Sequence, residues 1–183
     1  MIEIELKAWV DDPQKTRVLV STLASFERDF EKEDVYWYPV EKNPTVPNFG
    51  VRVRKETDSK GTRVLVTFKV KEKRDTIEVN DEKEFEVSDV EPFEALLNIF
   101  GLQIGLRKYK KGSAWTNNDV TAELCEVQGL GWFLELEILV PSADEQTIRE
   151  AQNRLLSFLK ETGVDESRIE SRYYTEMLKV LRK

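Results

Sequence analysis

The chain has 183 residues, of which 40% are hydrophobic and 34% are charged, and its formal net charge at pH 7 is −7. This length and balance predict one soluble globular domain, covering residues 1–183, with a substantial core. The acidic charge argues against nucleic acid as the main partner, because binding to a duplex depends on a basic surface.

The first stretch, Ile2–Val10, alternates strictly between apolar and polar residues, which is the period of a β-strand. The apolar face carries Ile2, Ile4, Leu6, Ala8 and Val10, and the opposite face carries Glu3, Glu5, Lys7 and Trp9. On this stretch alone, a half-exposed strand with a solvated charged face explains the pattern.

A helix follows this strand, with Asp12 as its N-cap and Pro13 as its first residue. Its apolar spacing continues to about Glu27. Later helices are predicted to begin at Ser88-Asp89, at a capping box from Ser142 to Glu145, and at Ser171; the first two end at Gly101 and near Gly163.

Seven more stretches have strand character. They cover Phe30–Tyr38, Phe49–Glu56, Thr62–Lys71, Thr76–Val87 (one strand, or a short hairpin around Asn80-Asp81), Leu102–Lys111, Val120–Gln128 and Trp132–Val140. A loop is predicted around Pro39, Asn43, Pro44, Pro47 and Asn48, and turns at residues 58–61, 112–113, 117–119 and 129–131. Hairpin-connected strands with inserted helices predict an α+β fold, an eight-stranded antiparallel sheet that can close into a barrel.

Charged residues recur at alternate positions on several of these strands, and basic pairs and acidic pairs lie on different strands. The set is Glu3, Glu5, Lys7, Arg52, Arg54, Lys69, Glu84, Glu86, Lys108, Lys110, Glu135 and Glu137. Solvated faces of an open sheet would not explain this segregation by strand. If the faces point into a closed barrel, its interior is lined with carboxylates and cations.

The chain contains no histidine and one cysteine, Cys125. Histidine-dependent nucleophilic catalysis and His-rich zinc sites are therefore excluded, and a metal site must use oxygen ligands, which favours Mg²⁺ or Mn²⁺. A single cysteine excludes an internal disulfide, and there is no apolar run long enough for a membrane span and no signal-peptide pattern at the N-terminus. We expect a cytoplasmic protein without a membrane partner.

The segment Glu3-x-Glu5-x-Lys7 resembles the signature of the CYTH superfamily, the triphosphate tunnel metalloenzymes. Further motifs of that family are matched in order by Asp34-Val-Tyr36, Arg52-x-Arg54, Thr67-Phe-Lys69, Lys108-x-Lys110 and Gly129-Leu-Gly131-Trp-Phe133-Leu-Glu135-Leu-Glu137. The ending Ser171-Arg-Tyr173-Tyr174, with Met177-Leu178, is similar to that of the CyaB-like class IV adenylyl cyclase branch.

The resemblance implies an eight-stranded tunnel that binds a triphosphate such as ATP, tripolyphosphate or thiamine triphosphate. Its cationic ligands would be Lys7, Arg52, Arg54, Lys69, Lys108 and Lys110, with Lys7 and Lys69 also catalytic. One or two Mg²⁺ or Mn²⁺ ions would be held by Glu3, Glu5, Glu135 and Glu137. A homodimer is expected by analogy only, because the sequence shows no distinctive interface.

Two positions depart from the family pattern. Cys125 stands where the family usually has an Asp, and we interpret it as a small buried hydrophobe, with Glu123 on the same face as a substitute ligand at a different depth. Glu82 stands where many members carry an Arg. These departures leave open whether a second metal ion binds.

Three functions remain open on the sequence. The first is a class IV adenylyl cyclase, in which the ribose 3′-hydroxyl of ATP attacks the α-phosphorus and pyrophosphate leaves. The second is a triphosphatase, in which water attacks the terminal phosphorus and orthophosphate leaves. The third is a non-catalytic protein that binds triphosphate or polyphosphate, a hypothesis motivated by Cys125.

Overall fold

A computed structural model of the chain describes residues 2–40, 50–74, 77–142 and 144–181, and for residues 69–74 and 77–82 it describes only the backbone. The strands are β1 Ile2–Trp9, β2 Ser25–Pro39, β3 Val51–Asp58, β4 Gly61–Arg74, β5 Ile77–Val87, β6 Leu102–Asn117, β7 Val120–Val127 and β8 Gly131–Val140. The helices are α1 Pro13–Leu23, α2 Val90–Ile99, α3 Glu145–Glu161 and α4 Tyr174–Leu181, with a 3₁₀ turn at Glu166–Arg168.

The eight strands form one closed antiparallel barrel. The order around the barrel is β1-β5-β4-β3-β2-β6-β7-β8, and β8 pairs with β1 over the whole length of β1. Because every strand has two hydrogen-bonded neighbours, the sheet has no free edge. The predicted α+β fold with an eight-stranded antiparallel barrel is confirmed.

The main hydrophobic core lies outside the barrel wall, between the wall and two helices. The apolar faces of β1, β7 and β8 contribute residues such as Leu6 and Leu136, and Val20 of α1 and Leu155 of α3 cover them. All four of these side chains are almost completely buried. Burial of each large aliphatic side chain contributes about 1.5–3 kcal/mol to folding. With the apolar faces used on the outside, the charged faces of the same strands must point inward.

Two smaller clusters complete the packing. Outside the barrel, Leu97 of α2 packs with Trp37 and Val53 on β2 and β3. Near the inner face, Tyr174 and Met177 of α4 join a cluster that includes Phe30, Ala114, Cys125, Val127 and Phe133. The C-terminal helix therefore places apolar side chains against the inner wall of the barrel. Among the described residues, no helix is both long enough and apolar enough to cross a membrane.

The first helix is shorter than predicted. It ends at Leu23 and not near Glu27, because Ala24 is already extended and β2 begins at Ser25. Phe26, which fits the apolar spacing of the helix, instead packs edge-to-face against Trp115 of β6 at a centroid distance of 6.0 Å. Tertiary packing therefore overrides the helical pattern here.

The predicted turn at Gly112-Ser113 is wrong. Strand β6 runs through both residues, and Gly112 pairs with Phe30 on one side and Cys125 on the other. A Cβ at residue 112 would lie 2.2 Å from the carbonyl oxygen of Leu124. Glycine is present because two strands approach closely, which is a recognised use of glycine inside a strand.

Other local predictions have mixed outcomes. The N-cap of α3 is Asp144, whose carboxylate accepts a hydrogen bond from the Thr147 amide, so the capping box starting at Ser142 is wrong. Strand β5 is continuous, which excludes the hairpin around Asn80-Asp81. The loop predicted at Asn43, Pro44, Pro47 and Asn48 lies outside the described residues.

Candidate active site inside the barrel

The charged faces of the strands meet on the inner wall of the barrel. Directly opposite residues of antiparallel strands project to the same face. Lys7 on β1 lies opposite Glu135 on β8, and Glu5 lies opposite Glu137. The described inner-wall side chains with charge include Glu3, Glu5, Lys7, Lys32, Asp34, Arg52, Arg54, Glu56, Glu84, Lys108, Lys110, Glu123, Glu135 and Glu137.

Asp34 on β2 holds two of the cations in place. Its carboxylate accepts hydrogen bonds from Nε and Nη2 of Arg54 at 2.7 and 3.0 Å. The Nζ of Lys108, on the other neighbouring strand, lies 3.0 Å from the second carboxylate oxygen. All three side chains are buried. This bidentate arrangement fixes the guanidinium plane, which is the geometry that also suits a phosphate.

In the triad of Asp34, Arg54 and Lys108, Asp34 and Arg54 keep each other charged. Burial alone would raise the pKa of Asp34, but Arg54 and Lys108 outweigh it and hold the pKa well below its usual range. Burial would lower the pKa of Arg54, and Asp34 reverses this so that it lies above its usual range. Asp34 is therefore ionised and Arg54 is protonated at neutral pH, so this part of the inner wall keeps its charges there.

A second chain of ion pairs crosses β2, β6, β7 and β8. Lys32 Nζ lies 2.5 Å from one oxygen of Glu123, and Lys110 Nζ lies 2.9 Å from the other. Lys110 also contacts Glu135 at 2.6 Å, and the hydroxyl of Tyr174 donates to Glu135 at 2.7 Å. Helix α4 is thus connected directly to the inner wall.

These contacts keep Glu135 ionised although it is deep in the protein. Burial would raise its pKa, but the charges of Lys110 and Lys108 and the hydrogen bond from Lys110 together outweigh burial and lower the pKa of Glu135 to about 2. Burial and the neighbouring carboxylate both raise the pKa of Tyr174 well above its usual range, so its hydroxyl stays protonated and can donate.

Arg52 and Lys7 lie on other parts of the same wall. The Nη2 of Arg52 donates to the Thr67 hydroxyl at 2.8 Å and lies 3.4 Å from Glu84. Lys7 is buried, and its Nζ lies 5.5 Å from the centre of the Tyr174 ring. Both cations therefore have neighbours that orient them within the barrel.

The four predicted metal ligands lie on two neighbouring strands. Glu5 and Glu137 are opposite each other, Glu3 is two residues away on β1, and Glu135 is two residues away on β8. Among the described residues no group of three such side chains is already close enough to hold an ion. Carboxylate oxygens suit Mg²⁺ or Mn²⁺, so the donor chemistry fits a divalent cation, with Glu135 also engaged by Lys110 and Tyr174.

The described part of the inner wall carries charges of both signs. It carries at least as many carboxylates as ammonium and guanidinium groups. A divalent cation held by these carboxylates would add positive charge to this wall.

Most of the predicted site residues are brought together, and others are added. Lys7, Arg52, Arg54, Lys108, Lys110, Glu3, Glu5, Glu135 and Glu137 share the inner wall, while the side chain of Lys69 lies outside the described residues. Lys32, Glu56 and the tyrosine of α4 were not predicted. Lys32 and Glu56 continue the alternating faces of Asp34 and Arg54, a signal that the sequence does contain.

Cys125 is completely buried and faces the inner wall beside Glu135. Its Sγ lies 3.4 Å from a Glu135 oxygen. Burial and Glu135 raise the pKa of the Cys125 thiol well above its usual range, so the thiol is neutral. Glu123, on the same face, accepts hydrogen bonds from Lys32 and Lys110, one at each carboxylate oxygen.

Comparison with known proteins gives one consistent result. The model of the CYTH domain matches residues 1–174. "Putative adenylate cyclase MJ0240" from Methanocaldococcus jannaschii is 24% identical over 97% of this chain and 98% of its own length.

Solved structures show the same fold. The PH1819 protein from Pyrococcus horikoshii superimposes with a TM-score of 0.86 at 28% identity and 99% coverage of both chains. HpAC1 from Hippeastrum superimposes with a TM-score of 0.63 at 13% identity over 98% of this chain and 95% of its own. It is described as a putative adenylyl cyclase with a dominant triphosphatase activity. Because the family model matches residues 1–174 of its 183 residues, this chain belongs to the CYTH domain family.

Proposed function

We propose that this protein is a metal-dependent enzyme that binds a triphosphate inside the barrel and cleaves it. The observation that carries the proposal is the burial of Lys7, Arg54, Lys108 and Lys110 on one enclosed wall. Even where buried cations are paired with carboxylates, a packed hydrophobic interior would be at least as stable, so stability alone does not explain them. Cations from three separate strands on one inner wall are what a desolvated polyanion requires.

The first candidate reaction is the adenylyl cyclase reaction of class IV enzymes. In it, the 3′-hydroxyl oxygen of ATP forms a bond to the α-phosphorus, the bond to the bridging oxygen breaks, and pyrophosphate and the hydroxyl proton leave. The C-terminal motif and the relative from M. jannaschii support this reaction.

The roles of the chain's own residues follow from their positions. Arg54 and Lys108, oriented by Asp34, would bind phosphate oxygens, and Arg52 would bind the same group from the neighbouring part of β3. Lys7, and by the motif Lys69, would lie against the charge that develops on the leaving group. Glu3, Glu5 and Glu137, with Glu135, would hold Mg²⁺ or Mn²⁺, whose chemistry when bound is to withdraw charge from the phosphate oxygens.

The second candidate is hydrolysis of a triphosphate to orthophosphate. The same cations and carboxylates serve attack by water at the terminal phosphorus. The triphosphatase activity described for HpAC1 supports this alternative, although at 13% identity that protein shares only the fold.

One product assay separates the candidates. Purified protein is incubated with ATP or tripolyphosphate, with Mg²⁺, Mn²⁺ or EDTA, and the products are separated. Cyclic AMP with pyrophosphate is expected from ATP, and only with metal. Orthophosphate without cyclic AMP would establish the second candidate. Tight binding of ATP or tripolyphosphate by calorimetry without turnover would favour the third, non-catalytic function. Absence of binding to either compound would overturn the proposal.

A matched pair of variants tests whether the inner wall binds the triphosphate. R52A removes a guanidinium that faces the interior, and K55A removes an exposed cation from the outer face of the same strand. We expect R52A to raise KM at least about tenfold, since a charged hydrogen bond contributes about 1.5–3 kcal/mol. K55A should leave KM within about twofold, because its charge is screened by solvent. Equal effects would place the binding site elsewhere.

A further inference from the structure

The ring of Tyr38, at the end of β2, lies between two glycines, Gly105 in the neighbouring strand β6 and Gly50 just before the other neighbour, β3. A Cβ added at Gly105 of β6 would approach Cδ2 of the ring to 2.6 Å, and one at Gly50, next to β3, would approach Cε1 to 2.9 Å. These distances are too short for non-bonded carbon atoms. Any other residue at either position would therefore push the ring out of its place.

The backbone of β6 is also adapted to this ring. The pairing of β2 with β6 passes from Tyr36–Leu106 to Trp37–Ile104, so Gly105 is the additional residue of a β-bulge. Bulges disrupt the ladder locally and redirect side chains, and they are frequent next to active sites. Here the bulge and its glycine leave space for one aromatic side chain.

Tyr38 lies in line with the cations of the inner wall. Asp34, Tyr36 and Tyr38 alternate along β2, and Tyr36 is directly opposite Arg52. At about 3.3 Å per residue, the ring is about 7 Å beyond the layer of Arg52 and about 13 Å beyond the layer of Asp34. The ring is therefore within reach of an organic group attached to a triphosphate that is bound at Arg52 and Arg54.

The contacts of the ring define what it can bind. Its hydroxyl lies near the side chain of Thr175 in α4. The Nζ of Lys179, also in α4, lies 5.1 Å from the ring centre, over its face. The side chain is only half-buried. Lys179 covers one face of this half-exposed ring, and a planar heteroaromatic group would stack on the other face or replace Lys179.

We propose that Tyr38 binds the organic end of the substrate by stacking, so that the substrate is a triphosphate ester of a heteroaromatic compound, such as a nucleoside triphosphate, and not inorganic tripolyphosphate. This inference rests on the proposed function of the barrel as a triphosphate site. It assigns a residue to the organic group of the substrate, whereas the charged residues of the wall would bind only the phosphates.

The test compares ATP with tripolyphosphate, each with Mg²⁺, by calorimetry on the full chain. Y38L should weaken ATP binding about tenfold or more, the range expected for loss of one base–aromatic stack. Its affinity for tripolyphosphate should stay within about twofold, and Y38F should keep both affinities. Y109L, which removes a tyrosine from the outer face of β6, is the matched control and should change neither.

G105A provides a second variant in which Tyr38 itself is retained. The added Cβ should displace the ring and produce the same selective loss of ATP affinity. Equal losses for ATP and tripolyphosphate in Y38L and G105A, or unchanged ATP affinity, would overturn the inference. If the wild-type chain binds neither compound, it is the proposed function that fails, and the two failures are therefore distinguishable.

Discussion

Asp34 is the residue whose charge the inner wall depends on most directly. It is 1% exposed and pairs with both Arg54 and Lys108. We predict that D34A lowers the free energy of unfolding by about 3–5 kcal/mol, because two buried cations would lose their shared counter-ion. Urea unfolding at neutral pH measures this loss.

The neighbouring residue provides the control. Glu33 lies on the outer face of the same strand, and its ion pair with Lys55 is at 3.9 Å between side chains that are 60% and 57% exposed. E33A should cost less than about 1 kcal/mol, as surface pairs do. A D34A loss no larger than that of E33A would show that Arg54 and Lys108 do not need Asp34.

The same comparison distinguishes structural from binding roles of Asp34. If Arg54 and Lys108 bind phosphate, a triphosphate can replace part of the missing negative charge in D34A. Saturating tripolyphosphate should therefore raise the melting temperature of D34A more than that of E33A. An equal increase in both variants would indicate that the ligand binds away from this triad.

At the scale of elements, strand β6 depends on a glycine that the sequence pattern does not explain. G112A would place a methyl group 2.2 Å from the Leu124 carbonyl oxygen on β7. We predict a loss of about 1–3 kcal/mol or more, the cost of overpacking, because backbone must move and no flexible side chain can yield.

The adjacent residue is the control for this strand. Lys111 is exposed on the outer face of β6, and K111A should change the free energy of unfolding by no more than about 0.5 kcal/mol. The free energies of unfolding of both variants are measured by urea unfolding under the same conditions. If G112A were as stable as K111A, the close approach of β6 and β7 would be wrong.

This strand also shows what sequence reasoning can and cannot reach. Alternation correctly predicted the strands, because most have one apolar face that packs outside the barrel and one charged face that lines its interior. The Gly112-Ser113 pair was interpreted as a turn, since a local pattern cannot show that a neighbouring strand needs the space of a side chain. Phe26 was assigned to a helix for the same reason, because Trp115 lies far away in sequence.

The candidate site shows the same division. The alternating acidic and basic residues were predictable strand by strand, and so was their shared face. Their pairing was not, because the contact of Lys110 with Glu123 and Glu135 depends on the register of three strands. The hydroxyl of Tyr174 reaches Glu135 only because α4 packs against the inner wall, which no periodicity in the sequence reveals.

At the scale of the whole molecule, the buried carboxylates make folding sensitive to acid. Despite burial, neighbouring cations lower the pKa of Asp34, Glu123 and Glu135, the last to about 2. Unfolded carboxyls titrate near pH 4, so between about pH 2 and pH 4.5 the unfolded chain binds more protons than the folded chain. The stabilisation is complete above this window and is lost as the pH falls through it.

We therefore predict that the free energy of unfolding falls steeply below pH 4.5, by about 1.4 kcal/mol per pH unit for each such carboxyl. E135Q removes one of them and should reduce the slope by about one proton, whatever its effect on stability at pH 7. E126Q, which removes a carboxylate that pairs with Lys111 on the outer surface, is the charge-matched control and should leave the slope unchanged. Urea unfolding at intervals from pH 3 to pH 7 gives the slopes. Identical slopes in E135Q and E126Q would mean that Glu135 is not held ionised by Lys110, and the description of the inner wall as a set of fixed, mutually compensating charges would have to be abandoned.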